Sequence, residues 1–388
     1  MKRLVWIFVV LTAACAGAQG PTSQEDWLGP PEPVARGVDF FTSTDSSLVE
    51  SAGPISVSLL RLDPKRARLT SLLSRGQVMY AEPVLEMATR ANALAAVNAG
   101  FFNIKNGEPV GLLKVAGELV SDTPITKGAV AIWSPDYGPT RLAFDQVSAR
   151  VEMWVLGELG DAAHAVVPID GVDTTRARGK LMLFSPKYHV DTDTAGNGVE
   201  WVLSGDPLMV TSVRRDVGSS IIPTDGIVLS YGGLELPEPL KALTPGVTVE
   251  LRRVWTSVHG LDGDRLESAD HVVNGAGLLR RSGVPLTNWE AERLSAPTFV
   301  TARHPRTMVG VDRRGFVWFA VVDGRQASSV GMSFADLQRL ADRLELTDAL
   351  NLDGGGSSTM VVGGKVVNRP SDSTGPRAVS DALGVTVR

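Results

Sequence analysis

The run Asn351-Leu352-Asp353-Gly354-Gly355-Gly356-Ser357-Ser358-Thr359-Met360 joins one carboxylate to three glycines and three hydroxyl side chains. Three consecutive glycines suit neither helix nor strand, because glycine loses the most backbone entropy on folding. They suit a turn whose N–H groups face inward and let a ligand approach the backbone closely. Asp353 follows a short apolar run, residues 349–352, so it is expected where a strand ends. A tight turn in which the carboxylate satisfies backbone donors would use the same Asp-Gly step. The hydroxyl run beyond the glycines favours a site instead, carried by a loop on a rigid scaffold.

Other chemistries lack their residues. The five histidines, His164, His189, His259, His271 and His304, are scattered, with no His-Glu-x-x-His pair to hold zinc. The glycine run has no lysine after it, so it is not a nucleotide-binding phosphate loop. No Gly-x-Ser-x-Gly elbow supports a serine hydrolase. Residues 191–202 begin like a calcium loop, with Asp191, Asp193 and a glycine in sixth place at Gly196. Ala195 and Val202 occupy positions where that loop needs ligands, so the expectation is no cofactor, with calcium held only as an alternative. The remaining chemical groups are a carboxylate, amide and hydroxyl donors, and arginines. An arginine fork matches a phosphate bidentately. Arg306, at the mouth of an expected strand, is the first candidate and Arg377 the second. Asp63, Asp312 and Asp323 stand beside turn residues and read as structural.

These groups must be positioned by strands. Apolar runs at 55–62, 67–73, 95–97, 307–311, 316–322, 349–352 and 383–387 read as strands. Residues 111–120 and 360–368 read as hairpins, turning at Ala116-Gly117 and Gly363-Gly364. Helical spacing is confined to residues 84–94 and to a stripe of Leu337, Leu340, Ala341 and Leu344. Ser333 caps that second helix, with Asp336 three residues on, an imperfect capping box because the reaching residue is Asp rather than Glu or Gln. Residues 141–253 are strand-rich with frequent Gly and Pro. Strands outnumber helices without strict alternation, so the expected fold is α+β: mixed, mostly antiparallel sheets with a few packed helices.

The chain has 388 residues, a formal net charge of -5, 21% charged residues and 43% hydrophobic ones, which reads as globular. That charge gives no electrostatic ground for nucleic-acid binding. Lys2 and Arg3, an apolar run over 4–11 and Ala16-Gly17-Ala18 have the layout of an export signal ending at residue 18. Cleavage there would remove Cys15, the only cysteine. The alternative is a lipoprotein with Cys15 acylated, the one route by which a membrane would be a partner. Both imply an exported protein, periplasmic or extracellular. Residues 19–50 are expected as a linker or N-terminal extension and 51–388 as the functional domain.

Five stretches together resemble the phosphodiester glycosidase family, in the family's order and over residues 55–388. They are residues 97–103 (Val-Asn-Ala-Gly-Phe-Phe-Asn), 273–280, 305–311, 322–325 (Val-Asp-Gly-Arg) and 351–359. Two departures stand out: Ala99-Gly100 where the family often has Gly-Gly, and Gly275-Ala276-Gly277 where it often has Gly-Gly-Pro. The resemblance implies cleavage of the bond between a sugar's anomeric carbon and a phosphate oxygen. It casts Asp353 as nucleophile or general base and Glu200 as the second carboxylate. Gly354, Gly355 and Gly356 would supply backbone donors. Ser357, Ser358 and Thr359 would bind phosphate or sugar oxygens, Asn98 the sugar, and Arg306 or Arg377 the phosphate. The partner is then a sugar-1-phosphodiester or glycan, with envelope polysaccharide a candidate because the protein is expected to be exported. Two rivals stand beside it: a phosphodiesterase cutting phosphorus–oxygen bonds with a metal, for which Asp191, Asp193 and Asp353 could be read as ligands, and a non-catalytic glycan-binding envelope protein on the same scaffold.

Overall fold

A computed structural model describes residues 27–156, 165–294 and 297–388. The expected export signal, Cys15 and His164 lie outside the described residues. Three sheets carry the fold. An eight-stranded sheet contains the strands Val57–Leu62, Arg306–Asp312, Val317–Val322 and Leu346–Asn351. A twelve-stranded sheet takes in most of the strand-rich middle, including the long strands Thr123–Trp133 and Arg141–Val155. A five-stranded sheet sets Ala95–Asn98 between Met360–Val362 and Asp381–Val387. Val38, Leu69, Val97, Val130, Phe144, Leu350 and Val385 come from all three sheets and share one apolar core.

The expectation of antiparallel pairing holds. Among the described strands only Gly171–Val172 runs parallel to its partner, Leu181–Phe184. The α+β class does not hold. Strand takes 45% of the chain and helix 12%, so the fold is predominantly β. The physical reason is length. The helix at residue 84 is expected to reach 94 but stops at Arg90, because Asn92 turns into the left-handed region at φ 50°. The longest helix among the described residues, Phe334–Arg343, has ten residues. Its capping box is complete: the Ser333 hydroxyl accepts from Asp336 N–H, and the Asp336 carboxylate accepts from Ser333 N–H.

Residues 32–49 are not a free linker. Val38–Ser43 pairs with Val57–Leu62 and with Glu32–Ala35, extending the eight-stranded sheet at one edge. Phe40, Phe41, Leu48 and Val49 are buried. The Pro-rich character that marks residues 21–33 ends before these apolar residues begin, so they have a core to enter.

Candidate functional site

Asp353 lies two residues beyond the strand Leu346–Asn351, with the buried Leu352 between them. Leu352 N–H donates to Thr307 O at 2.8 Å and Asp353 N–H to Ala99 O at 2.8 Å, so the turn is tied to both neighbouring sheets. The carboxylate is partly exposed. Gly354 N–H donates to its Oδ1 at 2.8 Å. Burial of most of the group pushes its pKa up, to about 6. The Ser357 hydroxyl, facing it without the alignment of a full hydrogen bond, the Gly354 N–H and the Arg377 charge oppose that rise.

Two of the three glycines, Gly354 and Gly355, do other work than the donor role expected of them. Gly355 N–H donates to Pro305 O at 2.9 Å and Gly354 N–H to Asp353 itself, so neither is free for a ligand. Their contribution is close approach. A Cβ at Gly354 would stand 2.7 Å from Pro305 O, and one at Gly356 would stand 2.2 Å from an Arg377 nitrogen and 2.3 Å from Asp372 Oδ1. Ser357, Ser358 and Thr359 are buried, and none of their hydroxyls has a hydrogen-bond partner.

Three further expectations need correcting. Asn98, expected on the sugar, is buried. Its Nδ2 donates to Asp353 O at 2.8 Å, and its Oδ1 accepts from Thr307 Oγ1 at 2.7 Å and Thr359 N at 3.1 Å. It is the clamp that holds the loop, not a ligand contact. Arg306, expected on the phosphate, is 1% exposed. Its Nε donates to Met332 O at 2.9 Å and its terminal nitrogen to Phe299 O at 2.6 Å and Ala302 O at 3.2 Å. The guanidinium stacks over Phe299 and Phe334. Burial, aided by the Arg325 charge, pulls its pKa down to about 10. Glu200 is wholly buried in the twelve-stranded sheet. Its oxygens accept from Thr192, Thr194 and Ser230 hydroxyls at 2.8–2.9 Å and from Ser220 N at 3.0 Å. Those donors hold it below the usual carboxylate range against the cost of burial, and no contact joins it to the glycine loop among the described residues. Arg377 does reach the loop, beside Gly356, but is held bidentately by Asp372 at 2.8 and 3.1 Å.

The second carboxylate of the site is Asp381, which the sequence reading missed. It opens the strand Asp381–Val387 and is 1% exposed. Gly100 N–H donates to its Oδ1 at 2.8 Å, and a Cβ at Gly100 would stand 2.9 Å from Oδ2. Burial and the Asp353 charge push its pKa up, to about 7. Segment 98–100 therefore bridges the two acids: Ala99 O receives Asp353 N–H and Gly100 N–H reaches Asp381. This explains the tolerance of Ala99, since only the second residue of that pair must lack a side chain. The sequence signal was weak, a Ser-Asp pair ahead of an apolar strand.

Arg325 completes the surroundings. It is exposed, adopts a left-handed φ of 58°, and donates to His304 Nδ1 at 3.2 Å. Its guanidinium nitrogens lie 3.2 and 3.3 Å from where a Gly355 Cβ would be.

Around the calcium-like stretch, Asp191 accepts from Asp193 N–H, while Thr192 and Thr194 serve Glu200. No group of three or more metal-ligating acids, histidines or cysteines gathers among the described residues.

Residues 197–386 match the family model described as phosphodiester glycosidase. A bovine relative named N-acetylglucosamine-1-phosphodiester alpha-N-acetylglucosaminidase is 38% identical over 74 residues, 19% of this chain and 14% of the relative. The match thus spans well under two thirds of that relative's length. A crystal structure of a hypothetical protein from Synechocystis superposes with a TM-score of 0.76 at 22% identity, covering 93% of this chain and 64% of that one. A putative exported protein from Burkholderia pseudomallei superposes with a TM-score of 0.72 at 26% identity, over 86% of this chain and 74% of the other.

Proposed function

We propose, on the premise that residues 197–386 are a phosphodiester glycosidase domain, that this protein hydrolyses sugar-1-phosphodiesters at the bond between C1 and the phosphate oxygen. The observation that carries the reading is the Asp353 loop. A partly exposed carboxylate and a buried one are linked through Ala99 and Gly100, and arginines stand beside the same glycines. A phosphate ester leaves readily as an anion, so the reaction needs a carboxylate to attack C1 or activate water and cations to take up charge on the leaving group. Asp353 is that carboxylate. Asp381 takes the place the sequence reading gave to Glu200. Its burial keeps it protonated up to about pH 7, so that Asp353 carries the negative charge of the pair.

The export layout of residues 1–18 supports action outside the cytoplasm, on envelope polysaccharide or a related glycan, with the chain either free or anchored through Cys15. Mass spectrometry of the protein from its native host would read a start near Gln19 or a lipidated Cys15; an intact Met1 would sink both.

The test of the activity is a panel of sugar-1-phosphodiesters turned over in ¹⁸O water, with products weighed. Label in the sugar supports cleavage at C1. Label in the phosphate, together with loss of activity on chelation, would replace this reading with a metal-dependent phosphodiesterase. Tight binding of the panel without turnover would make the protein a glycan-binding scaffold.

A further inference from the structure

We infer that Arg325, with its guanidinium set by His304, is the group that holds the anionic oxygens of the ligand at the mouth of the Asp353 loop. The inference rests on the phosphodiester reading of that site and moves the phosphate contact away from both arginines the sequence singles out.

Arg306 has its donors spent on three carbonyls and its faces covered by two phenyl rings, at 1% exposure. Arg377 is forked onto Asp372. Arg325 differs from both. No carboxylate pairs with it among the described residues. It is exposed, and its guanidinium stands over Gly355, two residues from Asp353. An unneutralised cation at that position attracts an anion, and a planar fork of donors matches two phosphate oxygens.

The side chain is also held ready. His304 Nε2 lies 2.8 Å from Thr298 O, a carbonyl that can only accept, so the ring proton sits on Nε2. Nδ1 is then an acceptor and takes a hydrogen from Arg325 at 3.2 Å. One guanidinium edge is thereby fixed and the others remain for a ligand. The backbone supports the same placement. Arg325 occupies the left-handed region, at φ 58°, where few non-glycine residues sit without a constraint. The short turn that follows supplies one: Gln326 and Ser329 exchange backbone hydrogen bonds at 3.2 and 3.1 Å. Gly355 accommodates the guanidinium because a Cβ there would crowd it at 3.2 Å. Arg306 does not touch the ligand, but its charge, bonded to carbonyls, adds to the positive potential below the loop.

The test is binding of inorganic phosphate to the full chain at fixed ionic strength, read by calorimetry and by the shift in melting temperature. Arg325→Ala should weaken phosphate at least about tenfold while the phosphate-free melting temperature holds. Arg325→Lys should recover part of the loss, because a point charge remains without the fork. His304→Ala should weaken phosphate in the same direction by less, and His304→Gln, which keeps an acceptor, should restore it. Arg252→Ala, at an exposed pair with Glu250, is the control. With a sugar-1-phosphodiester, Arg325→Ala should raise KM more than it lowers kcat. Unchanged phosphate affinity in Arg325→Ala, or wild-type protein that binds no phosphate at tens of millimolar, overturns the proposal. If instead phosphate binding depends on Arg325 but no sugar-1-phosphodiester is turned over, the anion clamp stands and the assigned reaction falls.

Discussion

At the scale of single residues, Asp353 and Asp381 divide the work of one site by their surroundings. Asp353 meets solvent at one edge and has a backbone donor; Asp381 is enclosed and feels the charge of its neighbour. The rate should rise as Asp353 ionises near pH 6 and fall as Asp381 loses its proton near pH 7. Asp353→Asn removes the attacking charge and keeps the shape. It should lower the rate about a thousandfold or more, a loss of about 4 kcal/mol of transition-state stabilisation. Its melting temperature at pH 8 should not fall, because desolvation raises the pKa of this carboxylate and makes its charge unfavourable in the fold above that pKa. A destabilised but active variant would return Asp353 to a purely structural part. Asp381→Asn carries a neutral amide at every pH. It should keep the acidic limb of the rate profile and lose the alkaline one; an alkaline limb that persists would belong to another group. The sequence pointed to Asp353 because three glycines and three hydroxyls surround it. It pointed past Asp381, whose backbone donor Gly100 lies 281 positions away, and wrongly to Arg306, whose carbonyl partners lie 4 to 26 positions away in segments with no sequence mark of the turn that aims them inward.

At the scale of elements, the strands of the C-terminal part were legible and the middle sheet was not. The strand Ala67–Leu73 falls where its apolar alternation puts it, and Arg306–Asp312 and Val317–Val322 differ from expectation by a residue at their ends. The local apolar pattern suffices for both kinds of strand, alternation for the half-buried Ala67–Leu73 and an unbroken apolar run for Val317–Val322, buried on both faces. It does not reveal register, and in the twelve-stranded sheet register decides which polar residues are sealed inside, as with Glu200. The helix Phe334–Arg343 shows how an element reaches the site. Its first residue, Phe334, is a platform for Arg306, and its cap Ser333 fixes where that residue starts. Ser333→Ala should cost about 1 kcal/mol of stability, read by chemical denaturation. It should also leave Asp336, already bonded by Arg303 and Arg339, without the Ser333 hydroxyl. A change within a few tenths of a kcal/mol would mean that the two arginines alone fix the helix start.

At the scale of the whole molecule, five acids enclosed by the fold set an unusual dependence on pH. Burial raises Asp122 and Asp353 to about 6, Asp381 to about 7 and Asp173 to about 8, and it raises Asp323 as well. A carboxyl with a raised pKa binds its proton more tightly folded than unfolded. Its contribution is therefore full at acid pH and is lost as pH climbs from the unfolded value, near 4, through the folded one. Glu82, Glu200 and Asp336 are lowered and act the other way, losing stability only in stronger acid, and His271, lowered by burial to about 4, is a single group against the five raised acids, losing stability as pH falls from its unfolded value near 6.5. The melting temperature should accordingly be highest near pH 5 and decline toward pH 8. Asp173→Asn should flatten that decline, and a profile that rises toward pH 8 would contradict the placement of these groups. The fold class departs from expectation at this scale too, because the helices Val84–Arg90 and Phe334–Arg343, of 7 and 10 residues, are too short to form a layer of their own.

The central position of Ala95–Asn98 in the five-stranded sheet bears on how the protein is made. Both of its neighbours, Met360–Val362 and Asp381–Val387, come from the far end of the chain. Asn98 meets Asp353 across 255 residues. Chains are synthesised from the N-terminus, at about 5–20 residues per second, so this strand emerges with both edges bare and waits many seconds for a partner. Bare strand edges recruit whatever strand comes near. A ribosome-bound intermediate therefore has no assembled site and carries an open edge, so holding the nascent chain unfolded until its last strand is released would protect it from misassembly.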